Sequence, residues 1–512
     1  MNPLRRPGFD RTAGGTPATI AIFSLFVLLT VTLAFHLNVW QDEAYSLHTT
    51  SKGLANALHQ GIYYEAQAPL YFGILDLWRS VNGSVLFARL LSILFSLVTI
   101  GFTWRFAKRY IGEVSTSIVT AVVAFNPFMI WAAIEVRPYA FTIALSAAII
   151  YYFFRGWIDD DKPLRYQAFY VILAIVAAYT QYYVAILVPA GFVALLCLRR
   201  FRSLRSYVPA SIIVALAIAP LALVIPLQLK AYSANPFVVP RFAAAAIVLP
   251  VLGFLYPHDW VGSWAHRPLP NALYMAAVLV PAVLAFRRVS RYSITTRVTT
   301  TLVAVMCIIF AILIGPGHIS VIWPRQTAAL FVPTIFAAFA LIADISQERR
   351  RTVLRAFLTV YVIFTSLALW SQYHGFSKDG DWRRVGAFLS ANVVPTDAVA
   401  VFDAEAELPL RYYFNTVAVT PIPKPIAFDH FDESDFIIRD DAAVRSSLGE
   451  AAQGHSRLWL VLNDVCDTGP KFYGCSYLKS YIAHHFKTMM VAKFNRSSVL
   501  ELAPLSRPKV SK

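Results

Sequence analysis

From position 17 to position 370 the chain alternates between long apolar runs and short polar or basic breaks. A helix needs about 20 mostly apolar residues to cross the hydrocarbon core of a bilayer. On that basis the pattern predicts eleven segments: 17–39, 85–104, 114–131, 139–154, 167–180, 183–198, 207–227, 272–286, 298–315, 326–343 and 353–370. The first is too long for a signal peptide core, although Arg5, Arg6 and Arg11 precede it. Two breaks, 40–84 and 230–271, are too long to be turns. Within them, 53–61 reads as an amphipathic surface helix and 242–256, broken by Pro250, as an interfacial or re-entrant stretch. Beyond position 370 the pattern changes. Short β-like runs at 398–402, 458–462 and 498–502 mix with helical ones at 382–391 and 476–486. The predicted fold is an α-helical polytopic membrane protein with about eleven spans, residues 1–370, followed by a small α/β domain, residues 371–512, on the outer face. No internal repeat is present, which weighs against an inverted-repeat transporter.

Composition agrees: 57% hydrophobic and 14% charged residues stand against roughly 45–50% and 25% in a soluble domain. The net charge of +16 is uneven. The tail from Ser371 has 16 basic and 16 acidic residues, while the first 370 have 29 and 13. Basic charge lying between apolar runs is how a membrane protein uses it, and nucleic-acid binding is excluded. Of those 29 basic residues, 21 fall in the N-terminal head and in alternate breaks, and 8 in the others. The positive-inside rule then puts the N-terminus in the cytoplasm, and an odd number of crossings puts the C-terminal domain outside. Cys466 and Cys475, nine apart with Gly and Pro between them, suit a disulfide in an oxidising compartment; Cys197 and Cys307 read as inert core residues.

The outer side of the membrane part carries six acidic residues: Asp42, Glu43, Glu65, Asp76, Glu135 and Asp259. Asp42 and Glu43 directly follow the first span. A carboxylate at the membrane boundary loses hydration and persists if it binds something or takes a proton, or it simply caps the next helix. Glu65 and Gln67 precede Pro69, which starts a helix containing Tyr71. Glu135 and Arg137 lie ahead of Pro138 and Tyr139, and Arg325 follows Pro324. A guanidinium matches a phosphate bidentately, but an interfacial arginine also snorkels or meets lipid head groups. His258, Asp259 and His266 lack metal-ligand spacing, and Asp159-Asp160-Asp161 reads as a solvated loop.

Several motifs, taken in order, resemble the GT-C class of membrane glycosyltransferases, the superfamily of protein O-mannosyltransferases and lipid A aminoarabinose transferases. They are Trp40-Gln41-Asp42-Glu43, Gln67-Ala68-Pro69-Leu70-Tyr71, Glu135-Val136-Arg137-Pro138-Tyr139 and Tyr179-Thr180-Gln181-Tyr182-Tyr183. Arg325 with Pro333, Asp381-Trp382-Arg383-Arg384 and Leu410-Arg411-Tyr412-Tyr413 complete the set. The resemblance implies an inverting enzyme of the bacterial inner membrane. It would move a sugar from a polyprenyl-phosphate donor to a lipid A, polysaccharide or protein acceptor. Asp42 would be the catalytic base with Glu43 in support, Arg137 and Arg325 would bind the donor phosphate, and Glu65, Gln67, Tyr71, Glu135 and Tyr139 would line the substrate site. A polyprenyl-phosphate leaving group carries less charge than a nucleoside diphosphate, so arginines replace a metal and no catalytic metal or other cofactor is expected. One departure stands out: Ala66-Gln67-Ala68-Pro69 replaces the Glu-Lys-Pro-Pro of the aminoarabinose branch, and the missing lysine sets this chain apart from it. The competing reading is a polyprenyl-lipid or glycolipid flippase without catalysis, which would place its charges within the spans.

Overall fold

The computed structural model describes residues 16–159, 163–231, 253–255, 292–314, 325–468 and 471–505. Two compact units are each assembled from three stretches of chain. One comprises Met1–Ala34, Arg89–Ile218 and Val239–Ser371, the other Phe35–Ala88, Ala219–Val238 and Gln372–Lys512. The 272–286 segment, most of 242–256, and His258, Asp259, His266, Asp160 and Asp161 lie outside the described residues.

Among the described residues, six helices are long and apolar enough to span a bilayer: Pro17–His36, Val85–Tyr110, Tyr139–Ile158, Phe201–Ile218, Ile294–Leu313 and Gln347–Tyr373. A pair bent by 59°, Thr116–Ala124 and Pro127–Ala133, makes a seventh if counted as one, and Leu164–Thr180, Tyr182–Cys197 and Ala328–Ala343 are shorter apolar helices. This is a multi-pass membrane protein. The bend has a local cause. Pro127 has no N–H to continue the ladder, and the Asn126 side chain accepts from Phe128 N–H at 3.0 Å to start a new helix. The segment expected at 207–227 is instead two helices, Phe201–Ile218 and Leu221–Ala231. Pro220 interrupts it for the same reason.

In the first unit Tyr139–Phe153 is the central helix. Its apolar window is 83% buried, against 28% for Pro17–His36 and 22% for Gln347–Tyr373. Being apolar on every side, it has no face to offer water. Phe141 stacks on Phe95 at 4.1 Å, and Ser146 Oγ donates to the Ala329 carbonyl at 2.8 Å. Where the helix ends, Asp159 accepts from Arg155 at 2.6 Å and Arg109 at 2.8 Å, so this member of the acidic triplet clamps two helix ends together. Other hydroxyls inside the spans bond their own helix four residues back, as Thr30 does to Phe26 at 2.7 Å and Thr120 to Thr116 at 2.7 Å, which satisfies these two without water. Cys307 is half-buried, but Cys197 is exposed at the end of its helix and is no core residue.

The second unit joins three short helices, Gln41–Thr49, Leu54–Tyr63 and Leu70–Arg79, to the C-terminal sheet. Leu54–Tyr63 packs so closely on Leu70–Arg79 that a Cβ at Gly61 would stand 2.7 Å from Phe72. Gln228 Nε2, on Leu221–Ala231, donates to the carbonyls of Ile62 at 3.0 Å and Gln67 at 3.1 Å. The sheet comprises β1 (Ala398–Phe402), β2 (Val419–Pro421), β3 (Leu458–Asn463), β4 (Phe486–Phe494) and β5 (Ser497–Pro504), in the order β2-β1-β3-β5-β4. β1 runs parallel to β2 and β3, while β5 is antiparallel to β3 and β4. Alternation in β1 sends Ala398, Ala400 and Phe402 into one core and Val399 and Val401 into another, so both faces are covered. Helix Trp382–Asn392 covers the second face; helix Cys475–His485 covers the first, where a disulfide joins Cys466 to Cys475 with a Cα–Cα distance of 5.6 Å.

Candidate active site

The first apolar helix gives way within a few residues to Gln41–Thr49, and Asp42 and Glu43 both sit in the first turn of this second helix. A helical step of 100° sends adjacent side chains in different directions. Glu43 is wholly buried, its carboxylate accepts from Trp40 N–H at 3.4 Å, and it forms an ion pair with Lys378 Nζ at 2.9 Å. Lys378 is itself fixed by its backbone N–H, which donates to Asn38 Oδ1 at 2.7 Å. Asp42 is half-buried.

Both ends of this helix are tied down. At its C-terminal end Arg79 Nη1 donates to the carbonyls of Leu47 at 2.7 Å and Thr50 at 2.9 Å, groups that have no partner within the helix. Burial lowers the pKa of Arg79 against the opposing pull of Tyr412 and Asp76. Thr49 Oγ1 donates to Glu65 Oε1 at 3.1 Å, so buried Glu65 is placed against the same helix. At the N-terminal end Gln41 Nε2 donates to Glu405 and its Oε1 accepts from Asn463 Nδ2 at 3.1 Å. Val39 N–H donates to Tyr413 Oη at 2.7 Å. Burial, then Glu405 and Tyr64, raise the phenol pKa of Tyr45. Nearby Asp403 is fully enclosed, and burial, helped by Asp464, pushes its carboxyl up to about 7.

The other residues singled out in 40–84 fall into two environments. Gln67 is half-buried, with its carbonyl taken by Gln228, whereas Tyr71 is completely buried, its ring edge-on to Phe72 at 5.6 Å. His48 stacks on Phe428 at 3.9 Å, and burial followed by Lys52 and Arg411 lowers its pKa.

Four more candidates belong to the first unit. Glu135, Arg137 and Tyr139 are buried at the start of the central helix, with Tyr139 stacked on Trp131 at 4.9 Å and the Glu135 carbonyl accepting from Ser92 Oγ at 2.5 Å. Half-buried Arg325 opens the turn into Ala328–Leu330, the segment whose Ala329 carbonyl Ser146 of the central helix binds. Gln181 Nε2, from the Tyr179–Tyr183 motif, donates to the Arg325 carbonyl at 3.5 Å. The motifs around positions 137, 181 and 325 are thus carried on elements that pack together within this unit. A buried arginine is costly unless something holds its charge, and Arg137 is one of two arginines below a tenth exposed among the described residues; the other, Arg89, donates to the Ala34 carbonyl at 2.6 Å.

Sequence reasoning missed Lys378, Arg79, Glu405, Asn463 and Asp403. Lys378 and Arg79 carried a faint signal, being basic where most neighbours are not, but nothing local points to their partners.

Residues 66–225 match the family model described as dolichyl-phosphate-mannose-protein mannosyltransferase. The fold is similar to that of ArnT from Cupriavidus metallidurans. The apo structure aligns with a TM-score of 0.55 at 13% identity, covering 94% of this chain and 97% of that one. The structure bound to undecaprenyl phosphate gives 0.52 at 11% identity, covering 95% and 98%. The arabinofuranosyltransferase AftD from mycobacteria aligns over 95% of this chain and 40% of its own at 12% identity, with a TM-score of 0.37. Comparison with curated proteins gave no match.

Proposed function

We propose that this chain is an inverting glycosyltransferase of the GT-C superfamily, a reading supported by the family match over residues 66–225 and by the likeness of fold to ArnT. Its donor would be a sugar linked to a polyprenyl phosphate, and its acceptor a hydroxyl of lipid A, a polysaccharide or a protein at the outer face of the bacterial inner membrane. The observation that carries the reading is the contrast between neighbours in one helical turn: Glu43 is buried and ion-paired, while Asp42 is only half-buried. The ArnT structure holding undecaprenyl phosphate supports the donor class by analogy of fold.

In this mechanism Asp42 takes the proton of the acceptor hydroxyl as that oxygen attacks the anomeric carbon. The bond from that carbon to the phosphate oxygen breaks, the phosphate leaves with the electron pair, and a single displacement inverts the centre. Negative charge grows on the phosphate, where Arg137 and Arg325 would stabilise it, since a guanidinium can meet two phosphate oxygens at once. Glu43 and Lys378 act as positioning residues: they hold the helix that carries Asp42. Glu65, Gln67, Tyr71, Glu135 and Tyr139 would line the substrate site, and no step calls for a metal.

The test is transfer from a polyprenyl-phosphate sugar by the purified protein, with glycolipids and envelope glycans of cells with and without it analysed by mass spectrometry. The reading requires a sugar adduct that depends on the protein and disappears with Asp42→Asn at equal protein level. An adduct that persists with Asp42→Asn removes the assignment of the base.

A further inference from the structure

A recess of about 310 Å³ in the second unit is lined by His36, Phe376, Asp381, Arg383 and Arg384. We propose that it binds the phosphate head group of an anionic phospholipid. This site is separate from the Asp42 helix and does not depend on the transfer reaction.

The first argument is location. His36 is the last residue of the apolar helix Thr16–His36, so the recess opens where a bilayer-spanning helix meets the head-group layer. Phe35 and Phe376 are more than half exposed there, and the His36 ring meets them edge-on at 5.1 and 5.7 Å. Two exposed phenylalanines at a span end suit the acyl-chain side of that boundary, as the apolar contacts of interfacial segments do.

The second argument is charge. Two guanidiniums face one carboxylate, which leaves a net positive recess that matches a phosphodiester monoanion. Arg384 Nη1 pairs with Asp381 at 3.0 Å and its Nη2 donates to the Gly375 carbonyl at 2.7 Å; Arg383 Nη1 donates to the His36 carbonyl at 2.7 Å. These bonds fix both side chains while using only part of the five N–H donors that each guanidinium carries. Arg383 also lies over the Tyr413 ring at 5.9 Å. Both arginines occupy the first turn of helix Trp382–Asn392, the end whose macrodipole disfavours cations. An anion in the recess would offset that unfavourable placement.

The experiment uses the full chain in nanodiscs of phosphatidylcholine with a minor share of phosphatidylglycerol, counting retained lipids by native mass spectrometry. The wild type should retain phosphatidylglycerol in excess of its share. Arg383→Gln should reduce that excess about fivefold, and Arg383→Gln with Arg384→Gln about thirtyfold. An unchanged excess in the double variant overturns the proposal. If the double variant does not fold, the single variant and the wild type at high salt decide instead: an excess that survives both overturns it. Millimolar inorganic phosphate is the control for ligand source. Displacement of the lipid by phosphate at that level overturns a lipid site in favour of a free-phosphate one.

Discussion

Glu43 carries no exposed surface and is bound to both Trp40 N–H and Lys378, a setting that suits the positioning role proposed for it. The two neighbours should therefore fail in different ways. Asp42→Asn should leave thermal unfolding in detergent unchanged and lower the turnover number about 10²–10⁴-fold, the usual share of general-base help. Glu43→Gln leaves Lys378 buried without its carboxylate, a loss of about 3–5 kcal/mol, so its Tm should drop, and Lys378→Met in the same chain should restore much of it. Equal Tm for Glu43→Gln and wild type would deny the ion pair its structural role. Asp403 gives a pH signature. Its folded pKa, about 7, lies above the unfolded one, so the native state binds the extra proton. Stability is then highest below the unfolded pKa and declines as pH rises through the folded value. Asp403→Asn should flatten Tm between acid and neutral pH and raise it at pH values above the folded pKa; a pH profile identical to wild type would refute this.

At the scale of elements, what matters most is how the short helix Gln41–Thr49 is held. Arg79 closes its C-terminal end by bonding the carbonyls of Leu47 and Thr50, and Gln41 anchors its start to Glu405 and Asn463. A nine-residue helix is not stable alone in water, so these ties and its packing set its orientation. Gly61→Ala would press a methyl into Phe72 from 2.7 Å and should cost about 1–3 kcal/mol as overpacking, measured as a lowered Tm with the donor site intact. In the C-terminal sheet, reducing the Cys466–Cys475 bridge should lower stability by about 2–3 kcal/mol on the chain-entropy account. Differential scanning of the oxidised and reduced protein reads this directly.

Across the whole molecule the sequence and the structure divide the chain differently. The hydropathy break at position 370 separates apolar from mixed sequence, whereas the compact units interleave it: Phe35–Ala88 and Ala219–Val238 pack with Gln372–Lys512. The topology proposed from the basic residues, with the N-terminus inside and the C-terminal domain outside, is checked by fusing paired reporters at the two termini. A C-terminal reporter active only in the cytoplasm would move the proposed site to the wrong face.

Apolar runs alone located the long helices, because burying apolar side chains in hydrocarbon is a local requirement read within about 20 residues. Short β-like runs likewise placed β1, β3 and β5, and the helices Trp382–Asn392 and Cys475–His485 begin within a residue of expectation. β4 escaped notice because its residues are mostly exposed, so no buried face marked it, and β2 is only three residues long. The position of Asp42 after the first span was legible for the same local reason. Its distinction from Glu43 was not, because that rests on Lys378, hundreds of positions away, arriving at 2.9 Å. Charge pairing depends on distance in space and on desolvation, and neither has a period along the chain. Tertiary packing therefore decided which carboxylate is enclosed in an ion pair and which stays half-buried.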